Sequence, residues 1–354
     1  MKHATSRSGP RFLAAVALLL LTGCPSNVSQ RPGGTASGGT ASGGAADPDG
    51  PLVVTATVGM VADLARRIGG NHVDVAQLCG SGTDPHLYKP TRDDVAAIRR
   101  ADLVLYSGLK LEGKMGDVLA KADRSVAVAE SLDPSALIGA EAAEAGGHAD
   151  PHVWMDVSLW SEASHAIEGA LSDAAPQHAA DFAASAKALR GELARLHDYG
   201  KAVLASVPED RRVLVTSHDA FSYFGRAYDL EVVGVQGIST ESEAGLARIN
   251  ELVGMLVDRG VRSVFVESSV SKDNILALVE GAAARGHDVN VGDEELFSDA
   301  MGPDGTYEGT YVGMLDHNIT LVARGLGGDV PEGGFRQWPE DDSEAVADDV
   351  AATP

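Results

Sequence analysis

Four residues in four separate short motifs have the chemistry to hold a metal ion together. They are His86 in Asp84-Pro85-His86-Leu87-Tyr88, His152 in Asp150-Pro151-His152-Val153-Trp154, His218 in Thr216-Ser217-His218-Asp219, and Asp299 in Leu296-Phe297-Ser298-Asp299. Three imidazoles and a carboxylate are common donors to a four-coordinate divalent ion. Intrinsic affinity at a nitrogen/oxygen site rises from Mn²⁺ towards Zn²⁺, and nitrogen-rich tetrahedral coordination suits zinc. Manganese would need more oxygen, which Asp299 could supply by binding through both carboxylate atoms. His86, His152 and His218 are evenly spaced by 66 residues. The gaps span different elements, so the spacing alone proves nothing, and convergence has to come from the fold.

The remaining residues of interest are weaker signals. Cys79 follows an apolar run and reads as a small buried hydrophobe, with a thiolate ligand as the alternative. His148 stands near the second motif and is placed to visit an ion at the mouth of the site. His72, His165, His178, His197, His287 and His317 have no motif around them. Gly59, Gly69 and Gly70 form no phosphate loop, and no Walker pattern occurs.

The elements that must position the four donors alternate between two periodicities. Residues 52–57, 73–78 and Leu103–Tyr106 read as strands, and 60–68 has helical spacing. Thr91 reads as an N-cap ahead of Asp93 and Asp94. The second half repeats the rhythm, with strands at Val213–Thr216, 231–235, 263–267 and 288–291 and helices at 242–259, 272–285 and Tyr311–Gly325. Between the halves, 177–206 reads as one long helix. Such alternation predicts an α/β fold with parallel sheets covered by helices. In open sheets of this kind, ligands bind beyond the carboxyl ends of the strands. His218 directly follows a strand there, and His86 and Asp299 lie in loops after strands. His152 precedes a helix over 158–171, so each half contributes two donors.

Four further carboxylates are candidates for accepting the imidazole N–H that faces away from the ion: Asp84, Asp156, Asp219 and Glu267. Helix capping explains the first three equally well. Glu267 ends the strand 263–267 and points towards the same rim. Trp154 and Tyr88 are expected to pack the wall between the halves.

With 354 residues, 44% of them hydrophobic, the chain has material for about two domains with proper cores. A net charge of -23 argues against a nucleic-acid partner, which needs a basic face. The N-terminus reads as a processing segment: Lys2, Arg7 and Arg11 precede an apolar run that is too short to span a bilayer. That run ends in Leu21-Thr22-Gly23-Cys24, which looks like a bacterial lipobox with Cys24 as the lipidated residue. The organisation that follows is a signal peptide over 1–23 and a lipid-anchored flexible tether over 24–50. An N-terminal α/β lobe over 51–176, a connecting helix over 177–206, a C-terminal α/β lobe over 207–327 and an acidic disordered tail over 328–354 complete it.

Five stretches resemble one family. They are Thr83-Asp84-Pro85-His86-Leu87-Tyr88, Asp150-Pro151-His152-Val153-Trp154-Met155-Asp156, and Thr216-Ser217-His218-Asp219-Ala220-Phe221-Ser222-Tyr223-Phe224, followed by Gly237-Ile238-Ser239-Thr240-Glu241-Ser242-Glu243 and Glu295-Leu296-Phe297-Ser298-Asp299-Ala300-Met301-Gly302. All are similar to the zinc/manganese solute-binding proteins of ABC importers, the cluster A-I receptors, over about residues 52–325. The resemblance implies two α/β lobes on a rigid backbone helix, with metal in the interlobe cleft. It implies His86 and His152 as ligands from the first lobe, and His218 and Asp299 as ligands from the second.

Members of this family that prefer manganese often carry Glu at the third position, whereas zinc receptors and some broader ones carry His, as here. Many zinc specialists also have a long His- and acid-rich loop before the second histidine. Here residues 141–149 are short and hold only His148, a departure from the pure zinc pattern. The expectation is a monomeric, lipid-anchored extracytoplasmic receptor that captures Zn²⁺, or Mn²⁺, for an ABC permease in the cytoplasmic membrane and is not an enzyme. The alternatives are a metal-dependent hydrolase, which needs an open coordination position and a general base, and a surface adhesin on the same fold.

Overall fold

Four short apolar runs in the first half pair into one parallel sheet. They are β1 (Leu52–Ala56), β2 (Val73–Gln77), β3 (Leu103–Tyr106) and β4 (Ser125–Ala127), arranged β2-β1-β3-β4. Leu52 lies opposite Val73, Val54 opposite Leu103, and Val104 opposite Ser125. Parallel neighbours need crossovers, here α1 (Gly59–Gly69), α2 (Arg92–Arg100) and α3 (Gly116–Leu119). Thr91 caps α2 as expected: its hydroxyl accepts from Asp94 N at 3.2 Å, and Asp94 Oδ2 accepts from Thr91 N at 2.7 Å. This computed structural model describes residues 50–140 and 148–339.

Two antiparallel-packed helices follow the first sheet, α4 (Val157–Ala174) and α5 (Ala179–Ala205), separated by a single turn at Pro176–His178. At 27 residues, α5 is ~40 Å long. Its buried residues Phe182, Ala186, Leu189, Leu193, Leu196, Tyr199 and Val203 recur at three- and four-residue spacing, which lays one apolar stripe along the helix. The stripe contacts α1 and α4 from the first half, and α6 (Ser222–Tyr228) and α9 (Tyr311–Gly325) from the second. Gly200 permits a close approach of α6 and α9 to this helix. A Cβ there would sit 2.8 Å from the Tyr228 ring and 3.0 Å from Ile319 Cδ1.

The second half repeats the strand order of the first. β5 (Val213–Thr216) pairs with β6 (Glu231–Gly234), and β7 (Ser263–Val264) with β8 (Asn290–Val291), both in parallel. Phe265 N donates to Val215 O at 2.8 Å and ties the two pairs into the sequence β6-β5-β7-β8. The crossovers are α6, α7 (Leu246–Arg259) and α8 (Asp273–Ala283). Helix α7 starts four residues later than expected, because Gly245 is extended and forms its N-cap. One large apolar cluster runs from Val54 to Phe335 through both halves, and a smaller one lies beneath α7 and α8.

The disordered tail expected over 328–354 needs correction at its start. Residues up to Pro339 are ordered, and Gly334–Gln337 forms a helical turn. Phe335 is buried, its N–H donates to Asp316 Oδ1 at 3.0 Å, and Phe335 and Trp338 both pack on Tyr199. Two aromatic side chains supply the apolar surface that the surrounding acidic residues lack. The expected signal peptide, Cys24, the tether up to residue 49 and the acidic residues 340–354 lie outside the described residues. Among the described residues, no helix is long and apolar enough to cross a membrane.

Candidate metal centre

Each Asp-Pro-His motif folds into the same turn. Asp84 Oδ1 accepts from His86 N at 2.8 Å, and Asp150 Oδ1 accepts from His152 N at 2.9 Å. The aspartate side chain bonds the backbone two residues on, the usual Asx turn. His86 then lies beyond β2, and His152 just ahead of the turn Val153–Met155 and α4. His218 lies two residues past β5. Asp299 is held from both sides of its loop. Asn318 on α9 accepts from Phe297 N at 3.0 Å and donates to Phe297 O at 2.7 Å. The Trp154 indole N–H, from the first half, donates to Ser298 O at 3.0 Å.

These loops bring the four donors together. His86, His152, His218 and Asp299 each offer an atom within 4.8 Å of the others, and all four are buried. His86 Nε2 stands 3.3 Å from His152 Nε2, Asp299 Oδ1 is 3.3 Å from His152 Nε2, and Asp299 Oδ2 is 3.3 Å from His218 Nε2. Despite this proximity, His218 Nε2 and both Asp299 oxygens lack a well-oriented hydrogen bond. Buried polar atoms without partners are costly, and a divalent cation among them would satisfy all three. The donor chemistry and the orphaned atoms therefore fit a metal ion.

Two carboxylates orient the rings from behind. The Nδ1–H of His152 donates to Asp150 Oδ1 at 2.7 Å, and that of His218 to Glu267 Oε2 at 2.5 Å. Glu267 also accepts from His218 N at 2.9 Å. Both bonds fix the tautomer that presents Nε2 to an ion. Glu267 was expected in this role, but Asp150 was missed, although it stands inside the motif.

The other three candidate acceptors do different work. Asp84 Oδ2 accepts from the Thr240 hydroxyl, at 2.5 Å, across the halves. Asp156 caps α4, accepting from Ser158 N at 3.0 Å and Leu159 N at 3.3 Å. Asp219 accepts from the Ser222 hydroxyl at 2.7 Å, ahead of α6. None of these bonds goes to an imidazole, because a short aspartate next to a turn is already engaged by the nearest backbone or hydroxyl donor.

The electrostatics follow from three carboxylates packed round three rings. Burial opposes charge on His152, but Asp150 and Asp299 outweigh it and raise its pKa to about 9. On His218, burial is likewise overcome by Glu267 and Asp299, and its pKa is raised well above the ordinary value. Burial pushes His86 down to about 4, with only partial compensation from Asp299. Burial would raise Asp299, but His218 and His152 hold it well below the usual carboxylate range. Without an ion, His152 and His218 thus carry protons that balance the carboxylates.

The remaining predicted residues take bland places. The Cys79 thiol is buried and pushed up, chiefly by desolvation, so it serves as core. His148 is exposed and hydrogen-bonds Lys110 Nζ at 2.9 Å. With His86 it lines a cavity of about 500 Å³ that opens outwards from the centre. The Tyr88 hydroxyl bonds Asp94 Oδ2 at 2.7 Å within its own half while its ring packs on the large apolar cluster, and the Trp154 indole crosses to the other half. Lys114 and Glu241 form an ion pair across that wall's rim.

Comparison with known proteins agrees with this geometry. A family model described as zinc-uptake complex component A periplasmic (ZnuA) matches residues 54–325. The manganese-binding lipoprotein MntA of Bacillus subtilis is 49% identical over 281 residues, covering 78% of this chain and 90% of its own. The zinc-binding protein TroA of Treponema pallidum is 46% identical over 279 residues, covering 78% of this chain and 89% of its own. A solved structure of the TroA protein superposes with a TM-score of 0.75 at 44% identity, covering 78% of this chain and 99% of that one. The chain belongs to the family of periplasmic zinc-uptake A components.

Proposed function

We propose that this protein is an extracytoplasmic receptor that captures one divalent transition-metal ion between two lobes and delivers it to the permease of an ABC importer. His86 and His152 from the first lobe, and His218 and Asp299 from the second, are the ligands. The observation that carries the reading is the buried cluster itself. Four donor atoms converge within 4.8 Å, and three polar atoms there have no well-oriented hydrogen bond. Zinc is the preferred cargo, because three imidazoles give a nitrogen-rich shell and affinity rises from manganese to zinc. Each Asp299 oxygen faces a different ring, so the carboxylate can bind through both atoms and give manganese the additional oxygen it favours. The two relatives above are named for different ions, one for manganese and one for zinc.

A receptor must close around its cargo differently from its empty state, so that a transporter can sense loading. Contacts between the halves at Thr240, Ser298 and Glu241 provide that closure. Lipidation at Cys24 would hold the monomeric receptor at the membrane surface. A hydrolase would need an open coordination position and a free base. Asp299 fills the fourth position, and Asp150 and Glu267 are committed to ring N–H groups. The test is competition between Zn²⁺ and Mn²⁺ for chelator-stripped protein, followed by thermal stability. Zinc is expected to bind more tightly and raise the melting temperature further. A His218→Ala variant that bound zinc as tightly as the parent would overturn the ligand assignment.

A further inference from the structure

A second group of metal-binding side chains lies at the other end of the first sheet. His72, His178 and Asp181 offer donor atoms that all lie within 4.8 Å of one another. His72 ends the turn Gly70–His72 between α1 and β2. His178 ends the turn ahead of α5, and Asp181 lies in that helix's first turn. The two imidazoles stack with centroids 3.8 Å apart and planes 17° from parallel, and His72 Nε2 stands 3.0 Å from Asp181 Oδ2. Both rings lean edge-on against the buried Phe182. The His72 side chain is 33% exposed and that of Asp181 67%, so an ion can reach them directly from solvent.

We propose that this cluster is a second, independent site for a borderline divalent metal ion such as Zn²⁺. Two imidazoles and a carboxylate are a donor set that Zn²⁺ readily accepts, with water completing the shell. A bound ion lies in the plane of each imidazole that holds it, so one ring turns out of the stack to share it, a rotation about a soft side-chain torsion that these partly exposed rings allow.

Two features make the site weaker than the buried centre. Water competes at an exposed shell, and the positive end of the α5 dipole opposes a cation near His178. The two sites also share no donor. β2 separates the turn that carries His72 from the loop that leads to His86, and its five residues at ~3.3 Å each span roughly 17 Å. An ion at the surface site is therefore not handed directly into the buried one.

The test uses the full chain, stripped with chelator, loaded with one equivalent of Zn²⁺ and titrated calorimetrically with more. The parent should take a second equivalent at least ~100-fold more weakly than the first, as expected for an exposed three-donor shell. His72→Ala and His178→Ala should each weaken that equivalent tenfold or more, in the range roughly seen on losing a metal partner. Asp181→Asn, at an exposed position, should do the same with the least risk to folding. In all three variants the first equivalent should bind as in the parent, which also reports that the fold is intact. No second equivalent in the parent, or one that survives all three substitutions, would overturn the proposal. Failure of the first equivalent alone would instead count against the buried receptor site, since the His72-dependent equivalent can be read separately.

Discussion

The clearest test of the centre replaces Asp150 with asparagine and uses Asp84→Asn as its internal comparison. Both aspartates sit in an Asp-Pro-His turn and accept the histidine backbone N–H, at 2.9 and 2.8 Å. Only Asp150 also holds its histidine's ring, at 2.7 Å and fully buried. Removing the outer partner of a ligating imidazole costs ~10–100-fold in metal affinity, equivalent to about 1.4–2.7 kcal/mol. The same carboxylate also raises the affinity of His152 for a proton, its pKa being about 9. At pH 7 the parent protein must displace that proton, at a cost of roughly 100-fold in apparent affinity. Asp150→Asn relieves this competition while it weakens the metal bond, so the two effects partly cancel at pH 7. They separate at pH 9, where the full loss should emerge. Chelator-buffered zinc competition at both pH values reads the difference. Asp84→Asn should stay within about threefold of the parent at either pH, because its side chain reaches no ring. The reasoning fails if Asp150→Asn loses less than threefold at pH 9, if the loss does not grow with pH, or if Asp84→Asn loses as much.

Three further outcomes follow from the same geometry. Because His152 and His218 are protonated in the metal-free state and His86 is not, binding one ion at neutral pH should release about two protons. Calorimetry in buffers of different ionisation enthalpy would measure this, and no release would count against the proposed protonation states. The folded pKa of His152 lies above its ordinary value of 6.5, so its contribution to stability is complete below pH 6.5 and is lost as pH rises through about 9. The melting temperature of metal-free protein should fall over that window, and that of loaded protein should fall much less. Trp154→Phe keeps the ring but deletes the N–H that holds Ser298 O, leaving a buried carbonyl unpaired. It should cost about 1–3 kcal/mol in denaturant unfolding and also weaken zinc binding through the neighbouring Asp299.

The large elements were legible because their periodicities are strong. α9 spans the residues its pattern marks, Tyr311–Gly325, and Thr91 caps α2 as its side chain suggests. What escaped was short or decided by tertiary contact. β4 has three half-buried residues, too few to show alternation, and α6 covers only seven. The four donors could be named from their motifs. Their supporting carboxylates could not, because Asp84 and Asp150 have the same local sequence and the same turn. Which of them reaches a ring depends on what faces it: Thr240 captures the free oxygen of Asp84 from the other half. The ordered start of the C-terminal segment was hidden for a related reason. Acidic and glycine residues dominate its composition, yet Phe335 and Trp338 find a surface on Tyr199 that lies far away in sequence.

The wall between the halves has a consequence for time rather than for affinity. His152 and His218 have no exposed surface, and the outward-opening cavity reaches the centre only at His86, so full release of a bound ion needs the two halves to part. The rate of release is then the product of how often that opening occurs and how quickly the bonds break once it has. The rim pair Lys114–Glu241 and the Thr240 hydroxyl, which bonds the Asp84 oxygen that His86 N does not use, govern the first factor and are not among the four donors. Cutting them would quicken exchange of every ion alike, whereas altering the donors would change which ion is kept. On the proposed ligand set, selectivity and release rest on different residues, and a membrane partner that pries at the rim could discharge the cargo without weakening any single metal bond in advance.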